Sequence, residues 1–192
     1  MRRLIALTFR VEIVERLRTW TAALGSDVRG ASAIEFSFFA GLLSLAALNI
    51  TDISVYIYKR MELENATQMA VQAAFKACDP SNGYLPATTN CPALNTAVTS
   101  AIQSTSLGPL VQLQSGSPAE GYYCLNSSGS LQYVSSVSQK PSDCSAVGMA
   151  TLQPEDYIKI STSYAYTPMF PGVSVAGAFT TPITETAMIR LD

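Results

Sequence analysis

From Phe36 to Thr51 the chain carries no formally charged residue, and apolar character resumes as ISVYIY through Tyr58. A helix needs about 20 largely apolar residues to cross a bilayer. The segment from Ile34 to Tyr58 is long enough, with Glu35 and Asp52 near its two ends. Six arginines precede it (Arg2, Arg3, Arg10, Arg16, Arg18, Arg29), and only Lys59 and Arg60 follow immediately. Basic residues are retained on the cytoplasmic side, so this asymmetry predicts a single span with a cytoplasmic N terminus. Residues 1–30 form a basic leader of net charge +3, against −5 for residues 31–192. Within the leader, Leu4, Leu7, Val11, Val14 and Leu17 recur at helical spacing between arginines, a pattern suited to a short helix lying on an acidic lipid surface.

Composition then removes several function classes. The acidic remainder lacks the clustered Lys and Arg that phosphate neutralisation requires, so nucleic acid is not an expected partner. The chain contains no histidine. Without it the commonest general base, the Ser-His and Cys-His pairs and most zinc sites are missing, and neither catalysis nor a metal or other cofactor is expected. The cysteines Cys78, Cys91, Cys124 and Cys144 all follow the apolar run, as expected where the far side of a membrane is oxidising. Three pairings are open to them. Proximity favours Cys78 with Cys91 and Cys124 with Cys144, each closing a turn-rich loop.

Helical periodicity continues past the apolar run. In RMELENATQMAVQAAFKA, Leu63, Ala66, Ala70, Ala73 and Ala77 share one face opposite Glu62, Asn65, Gln68 and Gln72. One continuous helix is therefore predicted over residues 31–77, its membrane span at about 34–58, ending at CDPSNG, where Pro80 and Gly83 stop it. Asn49, Asp52 and Tyr56, three and four apart, read as a solvated interfacial strip, with a contact for another subunit as the alternative. A second, short helix is expected from Leu94, Ala97, Val98, Ala101 and Ile102. Strand patterns follow in LVQLQ, in GYYCLN and LQYVSSV joined through Ser127, Ser128 and Gly129, in YIKISTSYAY, and in TETAMIRL. Pro168, Pro171, Pro182, Gly172 and Gly177 mark loops between the last two. Glu155 and Asp156 read as a turn before a strand rather than an acid-base pair. The fold class is thus α+β: a long N-terminal transmembrane helix, then a small disulfide-bearing head over residues 78–192 with a short helix and a mainly antiparallel sheet.

Glu35 is the anomaly, because a carboxylate facing lipid costs several kcal/mol unless it stays protonated, moves to the interface or meets a cation. The residues around it are Arg29, Gly30, Ala31, Ser32, Ala33, Ile34, Glu35 and Phe36. This string resembles the prepilin signal: a basic leader ending in glycine, glutamate at the fifth mature position, then an apolar helix. The resemblance implies a type IV pilin-like helix and cleavage between Gly30 and Ala31 by a prepilin peptidase. It further implies that Glu35 pairs with the new N-terminal ammonium of a neighbouring subunit. Two charges that are poor alone in low dielectric are tolerable together, so such a pair sets register more than affinity. Ala33, Ser37 and Gly41, four apart, form a small-residue face on which helices can approach closely in lipid.

The resemblance extends further. The Glu-Phe pair, the ENATQMAVQAAFKA continuation, the cysteine-bearing head and the ending IKISTSYAYTPMFPG and ITETAMIR are similar to the TadE family of minor pseudopilins in tight adherence (Tad, or Flp) pilus systems. For such a protein the partners would be other pilin and pseudopilin subunits, the prepilin peptidase, the inner-membrane Tad assembly machinery and membrane lipid. It would sit in the bacterial inner membrane, single-pass, with a periplasmic head, before incorporation into an extracellular adhesive pilus. Two other readings compete with this structural, non-enzymatic one. One is a permanently anchored envelope domain that binds a ligand or partner without entering a filament. The other is a secreted enzyme whose apolar run is a signal cut near Ala46 or Ala47.

Overall fold

A computed structural model describes residues 28–179 and 181–192. The lipid-surface helix expected over residues 4–24 lies outside the described residues. Helix α1 (Val28–Ala77) is unbroken. It ends where the sequence stops supporting it: Cys78 still donates to the Ala74 carbonyl at 3.0 Å, and Asp79 then accepts from the Ser81 amide to start a 3-10 turn over Pro80–Asn82. Gly83 closes that turn at φ 73°, a conformation that favours glycine.

The chain divides after Leu48 into two compact units. In the first, the described side chains of α1 are exposed almost throughout; Ile34, Phe36, Phe38, Phe39, Leu42, Leu43 and Leu45 are all more than half exposed. The second unit, Asn49–Asp192, contains the rest of α1 and everything after it. The expected head boundary at residue 78 therefore moves into the helix, because residues 49–77 share a core with the sheet. Within the expected span of residues 34–58, Asp52 is fully buried and Val55 and Tyr56 pack on the head core, while Ile50, Ile57 and Tyr58 are more than half exposed.

On this part of α1 the buried stripe is Leu63, Ala66, Thr67, Ala70, Val71, Ala74 and Cys78. The expected stripe ran to Ala73 and Ala77, which are only half-buried. A strict three-four alternation drifts from the 3.6-residue turn, and over four turns the drift moves the inner face round to Ala74 and Cys78. Alanine at three successive turns lets the sheet approach the helix closely. Short helices α2 (Ala87–Asn90) and α3 (Leu94–Gln103) complete the helical part, α3 burying Leu94, Val98 and Ile102 as its periodicity predicts.

The described residues form a five-stranded antiparallel sheet: β1 (Val111–Leu113), β2 (Ala119–Leu125), β3 (Leu131–Ser136), β4 (Glu155–Tyr164) and β5 (Ile183–Arg190). β4 is central. β5 pairs along one of its edges from Tyr157 to Tyr164, while β2 and β1 share the other, at Glu155–Lys159 and Thr162–Tyr164. β2 and β3 are the expected hairpin; Asn126 Oδ1 accepts from the Ser128 and Ser130 amides, and Gly129 turns at φ 76°. The inner face of β4 supplies Ile158, Ile160 and Thr162, each fully buried, and β5 adds Ile183, Ala187 and Leu191. The Thr67 hydroxyl donates to the Leu63 carbonyl at 2.7 Å and lies 2.6 Å from Thr162 Oγ1, so both hydroxyls are satisfied inside a dry helix-sheet interface.

Cys78 and Cys91 are joined at an S–S distance of 2.04 Å, and Cys124 and Cys144 at 1.97 Å. The first pair ties the end of α1 to the chain entering α3. The second holds the β2–β3 hairpin to the segment before β4.

Candidate functional site

The residues flagged as a solvated strip are instead a binding cradle for a loop of the same chain. Asp52 is fully buried, and its carboxylate accepts from the Met169 amide at 2.9 Å and the Phe170 amide at 3.2 Å. Tyr166 Oη donates to the Asp52 carbonyl at 3.2 Å. One turn earlier, Asn49 Oδ1 accepts from the Val175 amide at 2.8 Å. One turn later, the Tyr56 ring stands edge-on to Tyr166, centroids 5.1 Å apart, and tilted against Phe179 at 4.7 Å. The loop after β4 contains Pro168, Pro171 and Gly172 and cannot satisfy its amides through a sheet ladder. A helix presenting Asn, Asp and Tyr at successive turns supplies what it lacks. The signal available in the sequence was the pairing of a polar helical strip with a proline-rich, uncharged loop.

The residues singled out for processing and packing lie on the first unit. Gly30 falls in the first turn of α1, and a Cβ added there or at Gly41 would meet nothing within 4 Å among the described residues beyond its chain neighbours and its own turn of helix backbone. Glu35 and Phe36 are exposed, Phe36 by 75%. Ala33, Ser37 and Gly41 are exposed as well; Ser37 Oγ donates to the Ala33 carbonyl at 2.8 Å, turning its polar group back onto its own helix. That leaves the small-residue face smooth. The side chain of Ala31 is not among those described.

Asp156 departs from expectation. It lies within β4 rather than in a turn before it, opposite Tyr122 of β2, and is 3% exposed. Burial, reinforced by the neighbouring Glu120 and Asp192 carboxylates, pushes its acid up to about 7, while Lys140 opposes the shift. Glu120 is already supplied with donors by the Ala87 amide (2.7 Å), the Thr88 amide (2.6 Å) and the Thr88 hydroxyl (2.6 Å). The proton therefore belongs on Asp156, whose Oδ1 has no hydrogen-bond partner among the described residues. Glu155 points to the other face and pairs with Arg190.

On that outer face Tyr123 stacks edge-on with Tyr133 and Tyr157, beside a pocket of about 120 Å³ lined by Tyr123, Leu125, Leu131, Leu152, Gln153 and Glu155. That is room for about one side chain, whereas ligand sites for small molecules run to roughly 300 Å³ and more. Among the described residues no cluster of three or more Cys, Asp or Glu could hold a metal ion. Among the described residues one helix is long and apolar enough to cross a membrane. No protein-family model matches the chain, and no match is found among curated proteins or solved structures.

Proposed function

We propose that this chain is a TadE-like minor pseudopilin: a single-pass membrane protein, cleaved after Gly30 by a prepilin peptidase, that acts in assembly of a Tad-type adhesive pilus. The observation that carries the reading is helix α1, which bears the glycine-to-glutamate motif at one end and a packed head on its other half without a break. Its first half exposes large apolar side chains that need lipid or other helices around them. Its motif supplies a carboxylate, Glu35, at the head of the apolar run, where a countercharge on a neighbouring subunit would make it inexpensive. In this reading the function is self-association. Contacts between non-identical patches that do not close generate filaments, and a long exposed helical seam suits that geometry.

The mature N terminus, read by mass spectrometry, tests the proposal. A start at Ala31 is expected, and Gly30→Leu should abolish it. An intact Met1 would favour a permanently anchored envelope domain. A start near Leu48 would mean a secreted protein, since the unit beginning at Asn49 would be released whole. If Glu35→Gln is processed normally yet assembles pili as well as the native chain, the pairing role of the carboxylate is wrong.

A further inference from the structure

The loop cradled by Asn49 and Asp52 has an unusual outer surface. From Ile160 to Thr184 the chain carries no charged residue. Met169 is 60% exposed, Val173 52% and Val175 56%. Loops that face water are seldom both uncharged and tipped with three bare apolar side chains. Nor is this a slack segment: three backbone amides are fixed to α1 by side-chain acceptors, and two aromatic contacts brace its ends.

Its attachment point identifies what should cover it. Asn49 and Asp52 lie in the turn that directly follows Leu48, where the second compact unit begins and the bare apolar side chains of α1 give way to a mixture of buried and exposed ones. Residues 30–48 at ~1.5 Å per residue give ~28 Å, the thickness of a bilayer's hydrocarbon core. With the hydrocarbon core counted from Gly30, four residues before the expected start at 34, the next turn falls at the headgroup boundary. Asp52 is also the one formal charge between Glu35 and Lys59, and the loop's amides enclose it completely. A bare carboxylate would resist entry into that layer, whereas one solvated by backbone N–H groups and covered by apolar side chains does not.

We infer that the loop over residues 167–179 is a membrane-contacting collar: Met169, Val173 and Val175 enter the boundary between headgroups and acyl chains on the head side of the bilayer and seat the head against it. The occupant is lipid, and the contact requires the membrane span but not the pilus role.

The test uses the full chain in vesicles of phosphatidylcholine and phosphatidylglycerol, with the sole tryptophan, Trp20, changed to Phe. Single indoles are introduced by Met169→Trp, by Val173→Trp and, as an outer-sheet reference, by Tyr133→Trp. Lipids brominated near the glycerol end of their acyl chains should quench the indoles at 169 and 173 and spare the one at 133, and aqueous acrylamide should show the opposite order. Equal acrylamide quenching at all three positions, with no effect of bromolipid, overturns the inference. So does shielding at 169 and 173 that appears only at high protein-to-lipid ratio without bromolipid quenching, which would mark a contact between copies of the chain. A chain that fails to float with the vesicles overturns the span and the collar together, whereas a wrong mature N terminus affects only the pilus reading.

Discussion

Asp156 offers the sharpest test of the head's electrostatics. Its folded-state acid is raised to about 7 from an ordinary 3.8, chiefly by burial, then by Glu120 and Asp192. The charged and titratable groups facing it are Glu120 and Tyr122 on β2, Lys140 before β4 and Asp192 after β5. Because the folded pKa is raised, the folded chain keeps a proton that the unfolded chain releases. Stability from this group is fully present below pH ~4 and declines as pH rises toward ~7, by at most ~1.4 kcal/mol per pH unit. An isolated group moved that far would account for ~4 kcal/mol, and solvent screening of a site that is not wholly enclosed reduces the expected loss to ~2 kcal/mol. Glu62, Asp79 and Asp143 are shifted downward instead, so the stability they add is gained as pH rises through their ordinary range of ~4–5, at the foot of this window and equally in the native chain and the variant. Asp156→Asn keeps the shape and cannot ionise. Denaturant unfolding of the full chain in detergent, followed by near-ultraviolet circular dichroism from pH 4.5 to 8, should show native stability falling and the variant flat, with the variant ahead at pH 8. A native profile that is flat or rises through this range would refute the assignment, as would a variant that keeps the slope.

Other outcomes follow from packing. A Cβ at Gly121 would stand 2.6 Å from the Tyr133 ring and 3.0 Å from the Ser135 carbonyl, so Gly121→Ala should cost ~1–3 kcal/mol in the same unfolding assay. Breaking Cys78–Cys91 by replacing both residues with serine opens a loop of sequence separation 13 and should lower stability by ~3 kcal/mol. Asp52→Asn places an amide donor where the Met169 and Phe170 amides need acceptors; a loss of ~2 kcal/mol is expected, with faster hydrogen exchange at those two amides. Unchanged exchange there would mean the carboxylate does not hold the loop.

The legible parts of the fold were those written in local periodicity. Ile158, Ile160 and Thr162 alternate along β4 and are all fully buried, Leu94, Val98 and Ile102 mark the inner face of α3, and Pro80 with Gly83 stops α1 within a turn of where it ends. Both cysteine pairs join the nearest neighbours in sequence. The misread residues owe their environment to distant chain. Asp52 is buried by amides 117 and 118 positions away, and Asp156 by strands and termini that no local window contains. Both are acids, and in both cases an exposed position was the cheaper local assumption. Tertiary context overrode it by supplying donors to Asp52 and by placing a proton on Asp156.

The two halves of α1 apply one device to two different solvents. Ala66, Ala70 and Ala74 repeat a small side chain every four residues, and the chain's own sheet fills the space they leave. Ala33, Ser37 and Gly41 repeat the same spacing, yet they stay exposed, and among the described residues nothing beyond its chain neighbours and its own turn of helix backbone comes within 4 Å of a Cβ built at Gly41. Lipid chains do not reward small residues over leucine, but a second helix does, because close backbone approach gains dispersion contacts that bulky side chains prevent. At ~100° per residue Glu35 lies ~160° round the helix from the centre of this small-residue face, so a helix docking on that face would leave the carboxylate on its far side. The first half of α1 therefore presents two separate features, a small-residue face at Ala33, Ser37 and Gly41 and the Glu35 carboxylate on the opposite side, so in the proposed pilin reading helix packing and charge pairing would engage different neighbours.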